Sequence, residues 1–149
     1  MQKRHWLLLP IAALLCFIWG NSMLSGDISG EISGGLLGWL IDTFPFLNWL
    51  PEYVLRKIGH FSEFGLLGFL LCWYFLLQGQ QGIHRFSVPL LLAMLAANLD
   101  ETIQTFTPDR GPSVIDVWID TAGACTGIAA MLVLFAIVQY VKNKKGTTP

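Results

Sequence analysis

The sequence predicts an all-α integral membrane protein, a four-helix bundle with an interfacial segment between its first two spans. Three observations predict it. The chain has 149 residues, 54 % of them hydrophobic and only 13 % charged, outside the usual balance of a soluble domain. Four apolar stretches approach the roughly 20 helical residues that cross a hydrocarbon core of about 30 Å. The acids are gathered as well: LDETIQTFTPDRGPSVIDVWID, residues 99–120, holds five of the ten between two apolar stretches, where exposure to lipid would be costly. The length suits one domain, residues 1–149, and no internal repeat is visible.

The first span is expected at about residues 6–24, with Pro10 in its first turns and Asn21 and Ser22 near its far end. Its basic start, Lys3, Arg4 and His5, also suits a signal peptide. No small-x-small cleavage site follows, so the span reads as a retained anchor. GLLGWLIDTFPFLNWL, residues 35–50, is too broken by Asp42, Pro45 and Asn48 to cross and too rich in Trp to float free, which predicts a helix or hairpin at headgroup depth. Pro51 suits the first turn of a helix that runs through Arg56 and His60 into a second span at about residues 58–77. The third and fourth spans are expected at about 86–103 and 117–141, and the KNKKGTTP tail as disordered. The strictly apolar parts of the second and third, 64–77 and 88–99 (apart from Asn98), are too short to cross alone. Neighbouring polar residues must therefore be drawn into the membrane's outer zone.

Lys and Arg set orientation. With both termini in the cytoplasm, Lys3, Arg4, Arg85, Lys142, Lys144 and Lys145 lie inside and Arg56, Lys57 and Arg110 outside, while every acid falls on the outer side. This describes a multi-pass membrane protein with both ends in the cytoplasm. A net charge of −1 and the absence of a basic stripe, Walker loop, GxGxxG or zinc-type cysteine pair set nucleic-acid binding aside. Cys16, Cys72 and Cys125 are isolated within apolar stretches and read as small buried apolar residues.

Helical spacing predicts which polar residues meet. Arg56, Lys57, His60 and Glu63 share a face of the second helix; Asp100, Glu101 and Gln104 cluster on the third; Asp116 and Asp120 lie one turn apart on the fourth, continued by Gly123 and Gly127 as a GxxxG. Each piece has a purely structural explanation too. Ser113 to Asp116 matches a capping box in which Asp116 reaches back to the cap; Thr107-Pro108-Asp109 and Gly111-Pro112 are turn chemistry; the GxxxG is a packing device. Taken together they are harder to dismiss, because a charged side chain at the centre of a membrane helix costs roughly 2.5 to 3.5 kcal/mol. Six or seven such groups are tolerable if they face one another in a polar pocket opening outward.

The stretches KIGHFSEFGLLG (57–68), DETIQTFTPDR (100–110), Ser113 to Asp116 and Asp120-Thr-Ala-Gly123, with Asn21-Ser22 and the Ser25 to Ser29 stretch, resemble the motifs of the VanZ-like family. The resemblance covers nearly the whole chain. It implies a small four-span bacterial membrane protein whose namesake is associated with teicoplanin resistance, and it supplies no settled reaction. By motif it falls on Lys57, His60, Glu63, Asp100, Glu101, Gln104, Arg110, Asp116 and Gly123. It leads to Asn at the place of Asp120, where this chain has an acid.

The residue types favour an enzyme or binder acting on a membrane lipid or lipid-linked envelope molecule. His60, Glu63, Asp100 and Glu101 are the candidates for catalytic proton transfer, and Lys57, Gln104, Arg110, Asp116 and Asp120 for substrate binding, with the cations holding a phosphate or carboxylate. A metal variant places a divalent ion on the i, i+3 pair His60 and Glu63 with acids from the other helices. The alternative is a non-catalytic scaffold or partner subunit whose polar cluster only locks the helices. A carrier is disfavoured by the apolar lower halves of the spans. Serine chemistry is disfavoured because Ser62 points away from His60 and Ser113 is a cap.

Overall fold

The computed structural model describes residues 5–146, and side chains to residue 144. Lys3, Arg4, the Lys145 side chain and the last three residues lie outside that range. Among the described residues the structure is helical, in the order α1 (Leu8–Ser22), α2 (Gly26–Thr43), a 3-10 turn (Pro45–Leu47), α3 (Glu52–Leu77), α4 (His84–Thr105) and α5 (Val114–Gly146).

Three helices, α3, α4 and α5, are long and apolar enough to cross a membrane. The expected first span is the exception. α1 has 15 residues, about 22 Å at 1.5 Å per residue, and α2 leaves it at 111°. Four spans result only if that bent pair counts as one. The helix expected between the first two spans is also longer than expected, since α2 starts at Gly26. The reason is local: the Ser25 hydroxyl accepts from the Ile28 N–H at 3.4 Å and Asp27 sits in the first turn, so a new helix nucleates immediately after the polar end of α1. At the other end of the chain, α5 continues through residues 142–146 of the tail expected to be disordered. Extending an existing helix adds a hydrogen bond per residue without a new nucleation cost.

The expected start of α3 holds, with Pro51 as its N-cap and Glu52 in its first turn. α4 carries Pro89 in its interior. Proline has no N–H for the carbonyl four residues back, and that carbonyl, on Arg85, accepts from the Cys72 thiol at 3.6 Å. Of the three cysteines expected to be buried only Cys72 is fully so, Cys16 being exposed and Cys125 partly buried; Cys72 holds a backbone group that Pro89 leaves open.

The GxxxG is the contact that organises the bundle. A Cβ on Gly123 would strike the Phe61 backbone, one on Gly127 the Gly65 carbonyl, and one on Gly68 the Ala124 backbone. α3 and α5 thus meet backbone to backbone, as small residues allow. α1 closes the core against α3 and α4 through Ile11, Ile18, Phe64, Leu67, Ala93 and Ala97, with the Trp19 indole N–H donating to the Ala96 carbonyl at 3.4 Å.

Candidate functional site

The close contact of α3 with α5 sets Lys57, His60 and Glu63 opposite Asp116 and Asp120, and α4 brings Asp100, Glu101 and Gln104 alongside. Asp100 and Asp120 are fully buried, and Gln104, Glu101 and Ser22 nearly so. The Ser22 hydroxyl donates to Asp100 Oδ1 at 2.7 Å. The Gln104 amide donates to Asp100 Oδ2 at 3.0 Å and reaches Glu101 Oε1 at 3.4 Å. His60 Nδ1 lies 3.6 Å from Asp120 Oδ1 and 4.0 Å from Asp100 Oδ2, close but beyond hydrogen-bonding distance. His60 Nδ1 and both Asp120 oxygens are buried without a hydrogen-bond partner among the described residues.

Two expectations about Ser113 and Asp116 change. The Ser113 hydroxyl does accept from the Ile115 N–H at 3.2 Å. The carboxylate that reaches back to the Ser113 N–H is Glu101 of α4, at 2.6 Å, while Asp116 is paired with Lys57. A capping box is a local pattern, and here a neighbouring helix supplies its acid, freeing Asp116 for the ion pair.

Arg110 was expected to hold a substrate anion. Its Nε donates to the Leu24 carbonyl at 3.1 Å and its Nη2 to the Asn21 carbonyl at 2.9 Å. The Thr107 hydroxyl donates to the Ser22 carbonyl at 3.0 Å, and the Gly26 N–H to the Pro108 carbonyl at 3.0 Å. The loop after α4 therefore caps the C-terminal carbonyls of α1, where a cation is favoured, and fastens the α1–α2 corner. Gly26 is required there, because a Cβ would strike the Asp109 backbone. Asp109 turns this loop with a φ of 57°, a conformation Asp tolerates better than most residues.

A cavity of about 650 Å³ opens between α1, α2 and α3. Of the expected site residues, His60, Glu63 and Arg110 line it. Asp100, Glu101 and Gln104 form the buried network and Asp120 lies buried beside it; none of the four is part of the cavity lining. Lys57 and Asp116 are a half-exposed pair outside the lining. Sequence reasoning assigned no site role to Arg56, Ser29 or Ser33, which also line the cavity. Arg56 was legible one turn before His60; Ser29 and Ser33 were not, because α2 was expected to begin further on. The metal expectation changes likewise: the ligand-sized cluster among the described residues is His60 with Asp100 and Asp120, not His60 with Glu63. Ser62 donates to its own helix at Ile58, as expected of a residue with no part in the site.

Three helices of spanning length and apolar character packed around a buried polar cluster define a helical protein of the membrane class. The chain belongs to the VanZ/LLP1 family, whose model matches residues 7–137. No curated protein and no solved structure matches the chain.

Proposed function

We propose that the protein binds or modifies a cell-envelope lipid or lipid-linked molecule with an anionic headgroup, such as a polyprenyl-linked precursor, a phospholipid or a lipoglycopeptide. One observation carries the reading: a single cavity joins apolar walls, among them Phe17, Ile32 and Leu36, to Arg56, Arg110 and His60. An acyl or prenyl chain suits the former, and a phosphate or carboxylate the guanidinium groups. Arg110 spends two donors on α1 and keeps the rest; Arg56 is the freer cation. His60 and Glu63 line the same cavity, with Asp100 and Glu101 behind them, and supply groups for proton transfer. In this reading both termini are cytoplasmic and the cavity opens to the outer face of the bacterial inner membrane, where a lipoglycopeptide such as teicoplanin meets the lipid. Teicoplanin susceptibility is then a cellular read-out.

The test is retention of phosphatidylglycerol and undecaprenyl phosphate by the purified full-length protein, read by native mass spectrometry. Arg56→Gln should lower retention at least about tenfold while the protein stays monodisperse, a loss of roughly 1.4 kcal/mol. Equal retention by wild type, Arg56→Gln and Leu36→Trp would overturn the reading. A second reading, a non-catalytic scaffold, draws on the hydrogen-bond network that ties Ser22 of α1 to α4 and Glu101 to the start of α5. Under it, Glu101→Gln causes misassembly; under the first, it leaves a folded protein with altered function.

A further inference from the structure

We infer that His60, Asp100 and Asp120 hold a divalent metal ion beside the cavity. Three helices converge there, and each residue offers one ligand atom within 4.8 Å of the others. Ligands bound at about 2.0–2.2 Å in tetrahedral or octahedral geometry lie roughly 3 to 4.4 Å apart. The His60 separations of 3.6 and 4.0 Å fall within that range.

The satisfaction of the neighbouring groups singles out this triad. Glu101 is occupied, one oxygen by the Ser113 N–H and the other by Gln104. Asp100 is oriented: Ser22 holds its Oδ1 and Gln104 its Oδ2, the oxygen facing His60. This is the outer-shell support that fixes a metal-binding carboxylate. Asp120 is the unexplained member, fully buried with neither oxygen hydrogen-bonded among the described residues. A buried carboxylate without partners is strongly disfavoured. One imidazole cannot offset two carboxylates, whereas a divalent cation bound by a neutral His60 balances both. Since His60 also lines the cavity, the ion sits beside it, and one imidazole with two carboxylates suits Mn²⁺ or Zn²⁺. A contact from the ion to a lipid phosphate rests on the lipid reading; ion binding does not.

The experiment uses the full-length protein in lipid-free detergent, purified on a non-histidine tag, stripped with chelator and titrated with Mn²⁺ or Zn²⁺ alone. One ion per chain is expected, with a rise in Tm that tracks ion concentration. Bound Mn²⁺ should give ¹⁴N modulation in pulsed electron paramagnetic resonance, lost in His60→Gln. Asp120→Asn should weaken binding at least about 100-fold, and Asp42→Asn, on the exposed part of α2, should not. No stoichiometric ion on the wild type at 100-fold excess of either metal would overturn the inference. So would bound Mn²⁺ lacking the ¹⁴N signal, or undiminished binding by Asp120→Asn. If Asp120→Asn does not fold, the wild-type stoichiometry and nitrogen signal decide. Lipid retention is measured separately, so either proposal can fail while the other stands.

Discussion

The α3–α5 pair is built differently on the two sides of its glycine contact. Toward the α1–α2 corner, His60 and Glu63 face Asp116 and Asp120, and Asp120 lies buried with its oxygens unpaired. Toward the opposite end, Cys72, Ile128 and Met131 are buried under Phe69, Trp73, Leu76 and Phe135. Trp73 meets Trp6 edge-on at 5.3 Å. One half is held by dispersion and dense packing, the other by directional bonds among ionisable groups that hydrocarbon would penalise if they faced outward. Two halves of one helix pair thus divide the work: the apolar half fixes the helices, and the polar half places groups not fully used in holding them together.

The largest perturbation should come from the junction. Gly127→Val drives a side chain into the Gly65 carbonyl and should cost roughly 3 kcal/mol or more, destroying both halves at once. Denaturation in mixed micelles, followed by the fluorescence of the six tryptophans, measures it; near-wild-type stability would deny that this contact organises the bundle. Gln104→Leu should come next, at about 2–3 kcal/mol, because Asp100 and Glu101 each lose a buried donor. Its signature is a loss confined to the polar half: the proposed ion and lipid binding should fall while the environment of Trp73 is unchanged.

Cys72→Ala tests the other half. It removes a fully buried sulfur and the donor to the Arg85 carbonyl, so about 1–2 kcal/mol of stability should go. Ligand binding at the far end should stay within about twofold, and a larger change would show that the halves are coupled. Lys57→Met should have the smallest effect, at most about 1 kcal/mol and shrinking with added salt, because the Lys57–Asp116 pair is 39 % and 27 % exposed. A larger loss would move that pair from the rim into the site.

Much of this was legible along the chain because it depends on spacing. The apolar runs marked α3, α4 and α5, and the four-residue interval from Gly123 to Gly127 marked the surface on which α5 meets α3. Helical offsets also grouped His60 with Glu63, and Asp100 with Glu101 and Gln104. What spacing does not carry is the partner across space. Glu101 rather than Asp116 meets the Ser113 N–H, Asp116 meets Lys57 instead, and two of the Arg110 donors turn to the end of α1. Each rivalry was between groups of the same chemical type, so residue type alone could not decide it.

The break after α1 was hard to read for a related reason. Asn21, Ser22, Ser25 and Asp27 can end one helix, begin another, or ride inside a polar seam. The 111° bend is held in place by Thr107, Pro108 and Arg110, some 85 residues further along. By itself, then, the sequence determined the solvent this chain is built for and the faces its helices must hide, since transfer from water to hydrocarbon is additive over local stretches. Only the tertiary structure decided which carboxylate stays without a donor and which cation becomes a clamp, because a hydrogen bond forms or fails over a few tenths of an ångström, set by how three helices pack.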